Sequence, residues 1–325
     1  MRYDIKNSTP LVSVIVNCYN GEKFLSEALR TIKNQTYKRF EVVFIDNNSS
    51  DKSAEIYRKF SMDDIRFMYY RLLKNVSLGE ARKFAVTKCK GDYIAFLDVD
   101  DLWDEKKLQK QIQAIVHSQS VICYSNFYLI DEFGLNIGKS RERKVGNNFK
   151  ENLIRYRINL PTLMVSKAFL ETHNLSFDEN IEASEEYCLV MQMLARNAKV
   201  YFISERLASY RHLKDSLTVR KISSWFKDRR YTLDKIENDL PNVSMKYGKY
   251  FDYARSISNY YEALYYLSVD EDELARRSMA NVKSKKILFF VIRFALKPSF
   301  IKIFRSILEW KYGRGLFTNK SVNAA

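Results

Sequence analysis

Short apolar runs alternate with segments of helical periodicity in the first hundred residues of the chain. Leu11–Asn17 (LVSVIVN), Phe40–Asp46 (FEVVFID) and Tyr93–Leu97 (YIAFL) are largely apolar, which is typical of strands buried on both faces of a parallel sheet. The segment after the first run has apolar residues at the helical spacing i, i+3, i+4 and i+7: Leu25, Ala28, Leu29 and Ile32. This alternation predicts an α/β fold with a doubly wound, mostly parallel sheet.

The pattern changes near residue 220. Short predicted helices and strands mix between residues 150 and 211, whereas the chain beyond Ser216 has helical periodicity almost throughout and contains segments such as YYEALYYL. We therefore predict an α/β domain over residues 1–220 and a helical extension over residues 221–325. The hydrophobic content of 46%, with only four prolines and nine glycines, predicts that both parts fold.

The chain is strongly basic, with 54 lysines and arginines against 39 acidic residues and a net charge of +15. This excess favours an anionic partner, which could be a nucleic acid, a phospholipid surface or a phosphorylated substrate. Much of the charge lies in the extension, where the basic residues between Lys283 and Arg314 are opposed only by Glu309. Because no recognised nucleic-acid-binding motif occurs, we expect no nucleic-acid partner.

Two apolar segments near the C-terminus are predicted helices. The first, KKILFFVIRFALKP, has an apolar centre of about ten residues interrupted by Arg293, which is too short to span a bilayer. The second has an apolar stripe at helical spacing: Phe300, Ile303, Phe304, Ile307 and Leu308. With basic side chains on its polar face, this tail is predicted to bind an anionic membrane surface from the cytoplasmic side. The alternative is that both helices pack on the α/β domain or on a second subunit.

The N-terminal segment and the cysteines indicate the compartment. MRYDIKNSTP lacks the apolar stretch of a secretory signal, and no window offers the roughly 20 uncharged apolar residues of a spanning helix. We therefore expect a cytoplasmic protein. The four cysteines are far apart and form no CxxC pair, and the three histidines are isolated, which predicts reduced thiols and no zinc site.

Acidic residues follow two of the predicted strands. Asp46 ends one strand, and Asp98, Asp100 and Asp101 follow another. If Asp98-Val99-Asp100 is extended, its period of two places both aspartates on one side. Such a pair can hold Mg²⁺ or Mn²⁺ through oxygen ligands while substrate phosphates complete the coordination. The alternative is that Asp101 or Asp104 caps the next helix, and that the segment from Asp46 is a solvated turn.

Several spaced segments resemble the inverting glycosyltransferases of family two. VSVIVNCYNGEKFLSEALRTIKNQTY is similar to the family's first strand and helix, and FEVVFIDNNSSDKS to its second strand and acidic turn. NVSLGEARKFAVTKCKGDYIAFLDVDDLW resembles the central stretch that ends in the DxD element, while EASEEYCLVMQMLA and SYRHLKDSLT resemble weaker elements. The resemblance covers roughly the first 220 residues and implies the GT-A fold.

The resemblance also implies roles for the donor-binding residues. Tyr19 would lie against the nucleotide base, and Asp46 would hydrogen-bond the base edge. Asp98 would face the ribose and the cation, and Asp100 would be the main metal ligand. Arg82 would contact the nucleotide, although Lys83 replaces the asparagine that usually follows it, so a plain surface role for Arg82 stays open.

The general base is implied in the EASEEYC segment. Glu186 falls where the family usually has an aspartate that accepts the proton of the acceptor hydroxyl, and Glu185 precedes it. Both stay candidates, and the alternative is an exposed acidic helix start stabilised by the helix dipole. His212 lies one place before the family's customary histidine position, so a metal or phosphate contact and a surface role are both open.

The implied activity is transfer of a sugar from a nucleotide diphosphate sugar, a UDP-sugar by preference, to an acceptor hydroxyl. Together with the basic tail, the resemblance favours a lipid-linked glycan in surface-polysaccharide assembly, of the O-antigen or capsule type, as acceptor. One rival is a nucleotidyltransferase, but those enzymes have a glycine-rich phosphate loop and NCYNGEKF contains only Gly21. The other rival is a non-enzymatic polyanion-binding or nucleic-acid-binding protein, motivated by the charge and by the aromatic content of 14%.

Overall fold

The computed structural model describes residues 9–139, 148–213 and 222–283. The chain divides into two compact units after Leu213. Over its described residues, the first unit contains a nine-stranded sheet. Its strands are β1 Val12–Cys18, β2 Phe40–Asp46, β3 Phe67–Arg71, β4 Tyr93–Phe96, β5 Leu102–Trp103, β6 Ile122–Ile130, β7 Asn136–Lys139, β8 Met164–Ser166 and β9 Val200–Arg211. The strand order in the sheet is β3-β2-β1-β4-β8-β6-β9-β5, and β7 pairs with β6.

The helices of the first unit alternate with these strands and connect them. They are α1 Leu25–Lys33, α2 Ser53–Ser61, α3 Leu78–Lys88, α4 Lys107–Ser118, α5 Phe149–Ile154, α6 Lys167–Thr172 and α7 Glu185–Ala195. A single 3₁₀ turn, Leu160–Thr162, precedes β8.

The first four strands form the parallel half of the sheet. β1 pairs in parallel with β2 and β4, and β2 pairs in parallel with β3. Every residue of β1 and β2 is buried, which is why both read as near-continuous apolar runs. In the register of β1 with β2, Cys18 lies beside Asp46, so both strands end at the same edge of the sheet.

Helices cover both faces of this parallel half. The apolar face of α1 packs in one cluster with Val12, Val14 and Val16, which point to one face because side chains alternate along a strand. Ala81 and Ala85 of α3 are also buried but lie outside that cluster, and α3 contacts β1 and β2. The opposite face of the sheet is therefore covered by α3.

The other strands form a mixed half. β8 is antiparallel to both β4 and β6, β6 is parallel to β9, and β5 is antiparallel to β9. This half adds antiparallel pairs to the doubly wound sheet, and the predicted α/β architecture is confirmed. The strand predicted within VICYSNFYLIDEFG is present as β6.

The second unit is helical over the described residues 222–283, as the sequence predicts. Its helices are α8 Ile222–Asp239, α9 Pro241–Ser268 and α10 Asp272–Ala280. Apolar residues of α9 and α10 form its core, and Arg230 pairs with the nearly buried Glu262 at 2.8 Å. The predicted membrane-binding segments after Lys283 lie outside the described residues, and among those described no helix has the length and apolarity to cross a membrane.

Candidate active site

The acidic segment after β4 is a turn and not the extended strand that the sequence pattern suggested. The Asp101 N–H donates to the Asp98 carbonyl at 3.1 Å, a bond across four residues that an extended segment cannot make. The helix-capping alternative for Asp101 does not hold either. α4 begins at Lys107 without a side-chain cap, and Asp101 is buried and accepts the Arg211 N–H at 2.9 Å. Below, residues 98–101 are called the acidic turn.

The acidic turn concentrates negative charge where water is scarce. Burial and the charge of Asp98 raise the pKa of Asp100 to about 6. Burial, followed by the charges of Asp100 and Asp98, raises the pKa of Asp101 well above its usual range. A nearby cation would lower the pKa of such buried, crowded carboxyl groups, because a cation favours their ionised forms.

Two carboxylates fit a hard divalent cation if other ligands come from a substrate. Among the described residues, no group of three or more histidine, cysteine or acidic side chains is arranged as a ready metal site. Mg²⁺ and similar cations are commonly bound by one or two carboxylates plus substrate phosphates. Asp98 and Asp100 therefore fit a cation that is shared with a phosphate-bearing ligand.

Arg82 joins the acidic turn to the start of α7. Its side chain is only 2% exposed, and its Nη2 donates to Asp98 Oδ1 at 2.6 Å. Its Nη1 forms an ion pair with Glu185, which is also buried. The guanidinium lies over the ring of Phe177, 5.9 Å from the ring centroid. Arg82 is therefore not the plain surface residue that the sequence left open.

The two candidate base residues have different surroundings. Glu185 is 3% exposed and paired with Arg82, whereas Glu186 is half-buried. The hydroxyl of Tyr156 donates to the Glu186 backbone carbonyl at 3.4 Å and so holds the first turn of α7. The sequence could not separate these neighbours, and the structure gives them different surroundings, because Glu185 is buried in an ion pair with Arg82.

The loops after β1 and β2 are hydrogen-bonded to each other. The Gly21 N–H donates to Ser53 Oγ at 2.9 Å, and the Glu22 N–H donates to Asp51 Oδ2 at 2.9 Å. In return, the Lys52 N–H donates to Glu22 Oε2 at 3.0 Å. The polar residues after β2 thus fix the β1–α1 loop, and they are more than a solvated turn.

The predicted nucleotide residues lie at this edge, in contrasting environments. Tyr19 directly follows β1 and is 56% exposed. Asp46 is fully buried, and its two carboxylate oxygens accept the Ser49 N–H at 2.7 Å and the Tyr69 hydroxyl at 2.6 Å. Burial and the hydrogen bond to Asp46 raise the pKa of Tyr69 to about 12, so this hydroxyl remains a donor.

Gly21 brings the β1–α1 loop against the acidic turn. A Cβ atom at this position would lie 2.9 Å from Val99 Cγ2 and 3.0 Å from Cys18 Sγ, closer than real Cβ contacts. Val99 is the central residue of the Asp98-Val99-Asp100 segment. The glycine is therefore needed for close packing here.

Arg211 is a site residue that the sequence analysis did not identify. It ends β9 and is 1% exposed, and its Nε donates to the Asp100 carbonyl at 2.7 Å. The residue lies within the SYRHLKDSLT segment, which was the only signal available, because its partners in the acidic turn are 110 and 111 positions away. Its neighbour His212 is exposed, and the His212 N–H donates to the Ile130 carbonyl at 2.8 Å.

A family model described as glycosyl transferase family 2 matches residues 13–175. The chain belongs to this family. A glycosyltransferase of Methanocaldococcus jannaschii is 32% identical over 211 residues, 62% of this chain and 71% of the relative. TuaG of Bacillus subtilis, named for teichuronic acid biosynthesis, is 25% identical over 66% of the chain and 84% of its own length. The chain covers 29% of the length of a Rickettsia bellii glycosyltransferase and 32% of the length of GlyA of Streptococcus pneumoniae.

Solved glycosyltransferases share the fold of this family member. S. aureus TarS in complex with UDP-GlcNAc superposes with a TM-score of 0.66 at 19% identity, over 93% of this chain and 92% of TarS. The mannosyltransferase PcManGT of Pyrobaculum calidifontis, in complex with GDP-Man and Mn²⁺, has a TM-score of 0.59 at 12% identity, over 95% and 86% of the two chains. These identities support the GT-A fold and not a particular substrate.

Proposed function

We propose that this glycosyltransferase moves a sugar from a nucleotide diphosphate sugar to an acceptor hydroxyl with inversion at the anomeric carbon. The observation that carries the proposal is the double ion pair of Arg82, which connects Asp98 of the acidic turn with Glu185 at the start of α7. Inverting transfer needs a site that binds the donor diphosphate and a carboxylate that accepts a proton. One buried arginine joins the acidic turn to the start of α7, where both candidate base residues lie.

Inversion follows from a single displacement. The acceptor oxygen forms a bond to the anomeric carbon while the bond from that carbon to the diphosphate oxygen breaks, and the electron pair leaves with the nucleotide diphosphate. The hydroxyl proton passes to a carboxylate. We assign this carboxylate to Glu186, because Glu185 is buried and committed to Arg82. Glu185 then acts as a positioning residue that keeps its neighbour beside the acidic turn.

We assign Asp100 and Asp98 as the residues that hold Mg²⁺ or Mn²⁺. When bound, the cation stabilises the negative charge of the leaving diphosphate. The support is the crowding of carboxyl groups that raises the pKa of Asp100 to about 6 through burial and the charge of Asp98, together with the Mn²⁺ in the PcManGT complex. Asp98 has a second contact to Arg82, so its carboxylate is oriented before a cation arrives.

We place the nucleotide at the ends of β1 and β2. The exposed ring of Tyr19 offers a surface against which a base can lie. Asp46 is the proposed partner of the base edge, but its carboxylate is fully buried behind Ser49 and Tyr69. A direct bond from Asp46 to the base therefore requires the loop after β2 to shift.

A donor-hydrolysis screen tests the proposed activity. UDP-sugars and GDP-sugars, the classes bound by TarS and PcManGT, are incubated with the protein in Mn²⁺ or in EDTA. We expect at least one donor, a UDP-sugar by preference, to be hydrolysed in Mn²⁺ and spared in EDTA. Equal hydrolysis in Mn²⁺ and in EDTA would contradict the cation assignment. If no donor is hydrolysed with or without added glycans, the proposed activity on nucleotide diphosphate sugars is contradicted.

We further propose a lipid-linked glycan of a surface polysaccharide as acceptor. The support is the relative TuaG, named for teichuronic acid biosynthesis, and the basic sequence after Lys283. Each basic residue near an anionic leaflet contributes about 1 kcal/mol to binding. Full-length protein should co-sediment with anionic liposomes at low salt and dissociate at high salt. A chain that ends at Lys283 should not co-sediment, and equal sedimentation of both would contradict the membrane assignment.

A further inference from the structure

Arg211 makes several polar contacts with the acidic turn and its surroundings. Its Nη1 donates to the carbonyls of Asp131 and Glu132 at 3.0 and 3.1 Å, and its Nη2 donates to Glu27 Oε2 at 2.7 Å. Its guanidinium also lies over the ring of Phe24, 4.6 Å from the centroid. Together with the bond from Nε, all three nitrogen atoms of the guanidinium therefore donate hydrogen bonds.

These contacts fix residues of the acidic turn other than Asp98, the residue that Arg82 contacts. The Arg211 side chain binds the Asp100 carbonyl, and the Arg211 main-chain N–H binds the Asp101 carboxylate. The far end of the guanidinium is held by α1 and by the loop between β6 and β7. Because the anchors lie on separate elements, a shift of the turn would break several hydrogen bonds at once.

We propose that Arg211 is a positioning residue for cation binding, which fixes the backbone of Asp100 so that its carboxylate faces the cation. The inference rests on the proposed cation role of Asp100. Residues that orient metal ligands without touching the metal typically change metal affinity by about 10–100-fold when they are replaced. Arg211 binds the backbone of the proposed ligand, which is such a position.

Because Arg211 is positively charged, positioning and electrostatic repulsion predict opposite changes in cation affinity when the residue is replaced. A positive charge near the aspartates opposes a cation, so removing it should tighten cation binding if charge were its main influence. If positioning is its role, removing the side chain should weaken cation binding despite the lost charge. Arg211→Met keeps an apolar stem against Phe24 and removes both the charge and the hydrogen bonds.

The test measures the dissociation constant of Mn²⁺ by electron paramagnetic resonance in the presence of UDP or GDP, together with thermal unfolding. We expect Arg211→Met to raise this constant about 10-fold or more. Arg66→Met is the matched control, because Arg66 pairs with Asp64 at 2.6 Å and lies over the ring of Phe40 at 4.3 Å, outside the acidic turn. The control should lower stability and leave the Mn²⁺ constant unchanged.

A folded Arg211→Met protein with an unchanged or lower constant overturns the inference. If that variant does not fold, Arg211→Lys decides, since lysine keeps the charge and loses the planar fork. A raised constant in the lysine variant supports positioning, and an unchanged constant overturns it. Failure of the wild type itself to bind Mn²⁺ with either nucleotide would instead contradict the proposed function, and the inference would fall with it.

Discussion

The parallel half of the sheet and the chain that follows it contribute different groups to the site. β1, β2 and β4 supply the exposed Tyr19, the two joined loops and the acidic turn, all before Trp103. The later chain supplies Glu185 at the start of α7 and Arg211 at the end of β9, both buried. The first part therefore carries the groups proposed to bind the donor, and the second carries groups that hold them in place.

Both parts contain residues proposed to do chemistry and residues that support them, since the proposed base Glu186 lies in α7 and the supporting Arg82 lies in α3. The acidic turn can form locally, since its closing hydrogen bond spans four residues. Its orientation is fixed by arginines that reach it from α3 and from β9. Replacing a residue of the first kind should abolish activity in a folded protein. Replacing one of the second kind should change stability and ligand affinity together.

The largest expected effect is that of Asp100→Asn. The variant keeps the size of the side chain and removes the charge that holds the proposed cation, so transfer should fall about a thousandfold or more. Its unfolding temperature should not fall, because a neutral amide relieves the repulsion from Asp98 in the empty site. Steady-state kinetics with saturating Mn²⁺ measures the loss. Near-normal turnover would show that the cation is not bound through Asp100.

The two glutamates at the start of α7 should respond in opposite ways. Glu186→Gln removes the proposed base and should lower kcat about 10²–10⁴-fold with unchanged donor affinity. Glu185→Gln breaks a buried ion pair with Arg82 and should cost about 3–5 kcal/mol of unfolding free energy. Turnover and chemical denaturation of both variants are measured in parallel. If Glu185→Gln is stable and loses turnover while Glu186→Gln is active, the roles must be exchanged.

The sequence anticipated the parallel half because its signals are local. Buried runs such as Phe40–Asp46 and the apolar face of α1 predicted strands and helix close to their observed bounds. The pairing of β6 with β9 joins strands about 80 residues apart, so periodicity within either strand could not reveal it. The acidic turn was expected to be extended, because alternation cannot show the hydrogen bond from the Asp101 N–H to Asp98.

The sequence predicted some residues of the site and missed others, again because only local patterns are visible in it. Asp98 and Asp100 stood out because they follow a strand, whereas Arg211 is one basic residue among 54 lysines and arginines. Its burial and its contacts to residues 79 or more positions away distinguish it. The burial of Asp46 was likewise hidden, since a polar strand end is typical of an exposed turn.

Gly21→Ala should have an intermediate effect. The added methyl would press on Val99 Cγ2 at 2.9 Å, and overpacking of this kind costs about 1–3 kcal/mol. Because Val99 lies between the two proposed cation ligands, the Mn²⁺ requirement of donor hydrolysis should shift to higher concentration. Gly248→Ala is the control, since no atom lies within 4 Å of a Cβ at that position. An equal response of both variants would contradict the contact between this loop and the acidic turn.

The smallest effect on activity is expected for Lys107→Met. Lys107 is fully buried in α4, and burial lowers its pKa to about 7, although the ring of Trp103 at 4.0 Å favours the charged form. Between about pH 7 and its ordinary value of 10.5 the unfolded chain binds a proton that the folded chain does not. Stability should therefore rise with pH in this window, by at most about 1.4 kcal/mol per pH unit.

The methionine variant should lose this slope and be more stable than wild type below about pH 7, where the native lysine must be buried with its charge. Denaturant unfolding at several pH values measures the slope, and turnover at neutral pH should stay close to that of the wild type. An unchanged slope in the variant would show that Lys107 is not its source.

The central claim is that the acidic turn binds a cation together with a nucleotide, and isothermal titration calorimetry tests it most directly. UDP and GDP are titrated into the full-length protein in Mn²⁺, and the titrations are repeated in EDTA and with Asp100→Asn in Mn²⁺. The account predicts saturable binding of at least one nucleotide in Mn²⁺, at least about tenfold weaker in both other conditions. Equal nucleotide affinity in Mn²⁺, in EDTA and in the Asp100→Asn protein would contradict it.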